Sequence, residues 1–95
     1  MSHSSRPLFP LGQIAATPGA LRALAEANSS ALTFLTRHAV GDWGDLSEED
    51  KKTNEYALQA GLRLLSAYKT PQGVKLWIIT EADRSSTTLL LPSEY

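Results

Sequence analysis

The sequence predicts an α+β fold: two or three amino-terminal helices packed on a carboxy-terminal, three-stranded antiparallel β-meander. Three observations carry this reading. Residues 62–91 contain three apolar runs dense in Val, Ile, Trp, Tyr and Thr, residue types that suit a pleated, half-buried surface. Two turn signals separate the runs: Thr70-Pro71-Gln72-Gly73, with a fixed φ at Pro and a freely positive one at Gly, and the polar stretch from Glu81 to Ser86. Before residue 62, apolar residues recur at helical spacing behind recognisable helix starts.

The 95 residues suit one domain spanning 1–95, with a real but thin core. At 42% hydrophobic and 20% charged the chain has an ordinary globular composition, not a disordered one. A net charge of -1 and a pI of about 6.1 weigh against a broadly nucleic-acid-binding surface, while leaving room for a local basic face. With no cysteine, disulfides and thiolate zinc sites are ruled out. No apolar run approaches the roughly 20 residues that span a bilayer, and residues 1–10 hold no signal-peptide core. The expected location is the cytoplasm, with no membrane partner.

Residues 1–7 read as a disordered tail carrying His3. Pro7 and Pro10 then hold the backbone extended. Leu8, Phe9, Leu11 and Ile14 lie along the body of the domain, and residues 13–16 read as either a short strand or an extended lead-in. Thr17-Pro18 starts a helix, Thr as N-cap and Pro at a position that needs no N–H donor. It runs to about residue 27, with Leu21, Leu24 and Ala25 on one face and Ala20 near it. Asn28 suits the left-handed terminus. Ser30 caps a second helix over residues 31–40, with Leu32, Leu35 and Ala39 inward and Phe34 and His38 on an adjacent face.

Trp43 stands between Gly41 and Gly44 in an irregular link. It reads as an anchor on the core or as a side chain that contacts a partner or stacks on a base. Ser47 caps a third, polar helix whose first turn holds Glu48, Glu49 and Asp50. Tyr56, Ala57 and Ala60 form its inner stripe, and Gly61 closes it. In the sheet, Leu64, Ser66 and Tyr68 alternate against Arg63, Leu65, Ala67 and Lys69. Val74, Leu76, Ile78 and Thr80 oppose Lys75, Trp77, Ile79 and Glu81. Apolar residues fall on both faces of this run, so it is expected at the centre of the sheet. Thr87, Leu89 and Leu91 complete the meander, and Pro92 stops it.

No phosphate-binding glycine loop, metal-spaced cluster or nucleophile elbow is present, and no metal or cofactor is implied. Four polar groupings remain. His38 suits general acid–base work near neutral pH, or else a helix terminus. Arg84 beside Ser85, Ser86, Thr87 and Thr88 suits a phosphate, or else a capped hairpin turn. Arg63, Lys69 and Lys75 share one alternation class and form a basic strip or snorkel along the sheet. Asp42, Asp45, Glu48, Glu49 and Asp50 form an acidic patch, serving to cap the helix or to dock a basic partner.

The order of elements, with His38 at a helix end, Leu46-Ser47-Glu48-Glu49-Asp50 opening a polar helix, and a meander ending Thr87-Thr88-Leu89-Leu90-Leu91-Pro92, resembles the small metal-independent nucleases: barnase, colicin nucleases and RelE toxins. That resemblance implies RNA cleavage on a sheet face by a His, a basic residue and a hydroxyl. The positions that match are His38, Arg84 and Thr88, with Lys75 or Tyr68 in support. The strings FPLGQIAATPGAL, GDWGDL and WIITEADRSSTTLLLPSEY look like a family of short bacterial proteins described as plasmid-related, which implies a mobile-element setting without a mechanism.

Two functions follow as expectations. One is an interaction or accessory protein that modulates a host complex through Trp43, Asp45, Glu48 and Glu49. The other is a ribonuclease or RelE-like toxin using His38, Arg84 and Thr88, with RNA as its partner. An exposed sheet edge also leaves a homodimer open.

Overall fold

A parallel strand from the amino-terminal third joins the expected meander. The computed structural model describes residues 6–95. Its elements are β1 (Gln13–Ala16), α1 (Pro18–Glu26), α2 (Ala31–Ala39), α3 (Glu48–Ala60), β2 (Leu64–Lys69), β3 (Lys75–Thr80), β4 (Ser86–Leu90) and a closing 3-10 turn (Pro92–Glu94). The sheet order is β1-β4-β3-β2. β2, β3 and β4 form the antiparallel meander, with Ser66 opposite Ile78 and Ile78 opposite Leu89. β1 lies parallel to β4, Ile14 beside Thr87 and Ala16 beside Leu89. The sheet is therefore mixed and four-stranded, not wholly antiparallel and not wholly carboxy-terminal. Gln-Ile-Ala-Ala has weak strand propensity and no adjacent hairpin partner, so only the tertiary fold recruits it. Gly12, at φ +67°, makes the approach possible, because a Cβ there would collide with the carbonyls of Arg84 and Ser85. The tail expected over residues 1–7, with His3, falls outside the described residues except for Arg6 and Pro7, both exposed.

The expected caps all form. Thr17 accepts from the Ala20 N–H, Ser30 from Leu32 and Ser47 from Asp50. Asn28 and Gly61 take the left-handed conformation. The buried faces, however, are rotated from those expected. α1 buries Ala20, Ala23 and Leu24 and leaves Leu21 56% exposed. α2 buries Phe34, Leu35, His38 and Ala39, while Leu32 stays 69% exposed. α3 buries Asn54 and Ala57 and turns Tyr56 outward. A helix of two or three turns with apolar residues on more than one side has no unique inner stripe. The surface offered by the sheet chooses it.

One face of the sheet receives the helices. Ala20, Leu24, Phe34 and Leu35 pack there against Tyr68, Leu76, Ile78 and Leu89. A second cluster joins Phe9, Trp43, Ala57 and Leu64. β3 is central, as expected, and Ile79 is buried on its outer side as well, as is Leu90 on the same face of β4. The chain end reaches this outer face, where Tyr95 meets Trp77 edge-to-face at 5.8 Å. Among the described residues no helix is long and apolar enough to cross a membrane.

The outer edge of β2 is covered. Asn54 donates to the Leu65 carbonyl at 2.7 Å and accepts the Leu65 N–H at 3.2 Å. The Ala67 N–H donates to Trp43 O at 3.1 Å, and Asp45 N–H donates to Ala67 O at 2.6 Å. Backbone groups that would otherwise offer a template to another chain are thus satisfied within this one.

Candidate functional site

Two regions hold the sequence-predicted residues: a polar chain in the core around His38, and the acidic link between α2 and α3.

His38 lies in the last turn of α2, where the packing of Phe34 and Leu35 aims it at the sheet; it is 0% exposed. Its Nδ1 lies 2.5 Å from Ser66 Oγ and its Nε2 2.8 Å from Thr80 Oγ1. Thr80 Oγ1 is 2.7 Å from Thr87 Oγ1, and Thr87 donates to the Leu11 carbonyl at 2.7 Å. Each hydroxyl carries one proton, which fixes the direction of three of these bonds. Thr87 gives its proton to Leu11 O and so accepts from Thr80, and Thr80 then accepts from Nε2–H. On a neutral ring Nδ1 bears no proton and accepts from Ser66. Burial pushes the imidazole pKa down to about 4, with a smaller contribution from the positive Arg84. No buried side-chain N or O among the described residues lacks a partner.

Arg84 sits in the β3–β4 turn at φ +62°. Its Nη1 donates to the carbonyls of Leu62 (2.6 Å), Glu81 and Ala82 (both 3.1 Å), and its Nη2 to Ala57 O at 3.1 Å. The guanidinium thus ties the turn to the end of α3. It lies 5.7 Å from the Phe9 ring, and Phe9 meets His38 edge-on at 5.2 Å. The Asp83 carboxylate accepts from the Ser85 N–H and caps the turn. Thr88 follows the inward Thr87 and points to the opposite face of the sheet. His38, Arg84 and Thr88 therefore share no surface, and the first is enclosed. Of the supporting pair, Lys75 is exposed on the outer face. Tyr68 is buried, donates to Asp42 O at 2.5 Å, and has its pKa pushed up to about 12 chiefly by that burial.

Trp43 is an anchor: it is 3% exposed and stacks near Phe9 at 6.3 Å. Its indole N–H donates to Glu55 of α3 at 2.7 Å. Gly44, at φ +78°, lies so close to β2 that a Cβ would overlap Ala67 O and the Tyr68 ring. Asp42 pairs with Arg37 at 2.7 Å, and the hydrogen bond from Arg37 holds its carboxyl below the usual carboxylate range. Asp45, Glu48, Glu49 and Asp50 are all exposed, with only Glu48 reaching a lysine, Lys51, at 3.5 Å. Of the partner-contacting set, Asp45, Glu48 and Glu49 remain on the surface, and Trp43 positions them from below.

Sequence reasoning singled out neither the hydroxyls around His38 nor Asn54. The signal for the first was present: Ser66 and Thr80 occupy inward positions among Leu64, Tyr68, Leu76 and Ile78, and buried hydroxyls need partners. No group of three or more His, Cys, Asp or Glu among the described residues is placed to hold a metal ion. No family, curated protein or solved structure matches the chain.

Proposed function

We propose that this chain is a small, non-catalytic interaction protein that docks on a basic partner through Asp45, Glu48 and Glu49, in the mobile-element setting that its sequence resemblance implies. One observation carries the reading: the acidic run is exposed, yet its mount is closely packed and hydrogen-bonded to the sheet. Trp43 is buried beneath it, Gly44 is pressed on β2, and two backbone hydrogen bonds join the link to Ala67. A preorganised charged surface loses little conformational entropy on binding, and it steers encounter with a complementary partner. The groups a ribonuclease would need are consumed internally instead. Both ring nitrogens of His38 are engaged in the core, and Arg84 is spent on four carbonyls.

The test is affinity capture from a bacterial lysate with wild type and with Asp45→Lys/Glu48→Lys/Glu49→Lys. A specific partner should be retained at low salt, lost at high salt and lost with the charge-reversed variant. Retention by that variant would refute the acidic contact. Labelled RNA incubated with wild type and with His38→Ala should stay intact in both; cleavage by wild type alone would favour the nuclease.

A further inference from the structure

We infer that the β1 edge is a self-association surface, where a second copy of this chain pairs antiparallel with β1 to make a continuous eight-stranded sheet. The two sheet edges are treated differently. The β2 edge is closed by Asn54 and by the Trp43–Asp45 link. At β1, Gln13 N–H donates to Ser85 O and Thr17 N–H to Leu89 O. Alternate residues of a parallel strand bond to the same neighbour, so Ile14 and Ala16 turn their N–H and C=O groups outward. No side chain among the described residues covers them. The edge carries no Lys, Pro or bulge of the kind that blunts an open edge.

The occupant follows from the register. A twofold axis through Ala15 sets Ile14 opposite the second copy's Ala16, and Ala16 opposite the second copy's Ile14. These are hydrogen-bonded pairs that exchange four backbone bonds. Each places a large side chain against a small one on the helix side. On the outer side the closely spaced pair at the axis is Ala15 with Ala15, which lets the backbones approach. Ile14, 46% exposed, also lines an open groove of about 270 Å³ with Pro7, Leu11, Leu32, Leu35 and Val40. No charged residue lines this groove, so two copies meet without like-charge repulsion and bury apolar surface on both sides. Such an interface is isologous and closes at two copies. The acidic link, beside β2, lies at the far edge of the sheet. Where the acidic face docks as proposed above, the dimer carries two such faces at its opposite ends and binds bivalently a partner whose two basic sites match their spacing.

The test uses the full chain in sedimentation equilibrium across a concentration series, with amide hydrogen exchange at both ends of the series. Wild type should dimerise reversibly. The Ile14 and Ala16 amides should become protected only at high concentration, while Leu65 and Ala67 are protected throughout. Ile14→Lys should weaken the dimer about a hundredfold or more. Ala16→Pro, which removes an N–H that the monomer does not use, should do the same. Leu21→Lys, at a leucine on α1 even more exposed than Ile14, should leave it unchanged. A chain that stays monomeric to about millimolar concentration overturns the inference. So does a dimer indifferent to Ile14→Lys, or one that grows beyond two copies. If Ala16→Pro does not fold, Ile14→Lys and the wild-type exchange pattern decide. Loss of lysate capture on acidic charge reversal with dimerisation intact leaves this interface standing.

Discussion

Lowering the pH from 7 to 4 should strip this protein of a large share of its stability, through one buried imidazole. His38 is neutral in the fold, with a pKa of about 4, against an ordinary value of 6.5. At about 1.4 kcal/mol per pH unit the difference corresponds to about 3 kcal/mol. Its sign follows from proton counts. Above about pH 6.5 the imidazole is neutral in both states, and the full stability is present. Between about 6.5 and 4 the unfolded chain binds a proton that the native one refuses, so stability falls as pH falls. Below about 4 both states bind it and the loss is complete. A domain of this size has only about 5–15 kcal/mol to lose. The lowered carboxyls of Asp42, Asp83 and Glu94 act in a separate window. Their contribution is present above the unfolded carboxylate range and is lost as pH falls below about 4. Urea titrations at several pH values between 7 and 4.5 measure the slope, and nuclear magnetic resonance of the imidazole measures the pKa directly. His38→Gln should be less stable at pH 7, because it leaves hydroxyls unpaired in the core, and should lack the slope. A flat wild-type profile, or a His38 ring that titrates near 6.5, would refute the enclosed hydrogen-bond chain.

Three further outcomes are expected, each read by equilibrium denaturation. Gly44→Ala should cost about 2–4 kcal/mol, because the new Cβ collides with Ala67 O and Tyr68 at a positive φ and opens the link over β2. Asn54→Ala should cost about 2–3 kcal/mol by orphaning the Leu65 N–H and carbonyl; Asn54→Asp should rescue little, since a carboxylate cannot donate to Leu65 O. Arg84→Lys should cost about 1–2 kcal/mol despite the retained charge, because an ammonium lacks the planar fork that reaches both Leu62 O and Ala57 O. A stability unchanged from wild type in any of these would show that the contact carries no load.

Much of the framework was legible because its causes are local. The caps at Thr17, Ser30 and Ser47 are short-range hydrogen bonds between neighbours in sequence. The hairpins at residues 70–73 and 81–86 follow from turn chemistry, and the strands from alternation. The central place of β3 followed from its apolar residues on both faces. β1 was open to either reading, because its partner β4 lies some seventy positions away and Gln-Ile-Ala-Ala carries no strand signature of its own. The inner faces of α1 and α2 were misjudged, since Leu21 and Leu32 satisfy the helical period as well as Ala23 and Phe34 do. The candidate site divided the same way. Trp43, held between glycines, was readable as an anchor, and the acids of α3 as exposed. That His38 and Arg84 are engaged by internal hydrogen bonds, with Thr88 on the opposite face of the sheet, was not readable.

The sequence by itself determined where each element starts, stops and turns, because capping, turn geometry and alternation act over a few residues. Only the tertiary structure decided which helix face is buried, which strand edge stays open, and that His38 is a neutral core residue. Those outcomes depend on groups such as Ser66 and Thr80, which reach His38 from distant parts of the chain, and on Leu11, whose carbonyl ends the hydrogen-bond chain at Thr87. No local pattern records contacts that exist only after the sheet and helices have packed.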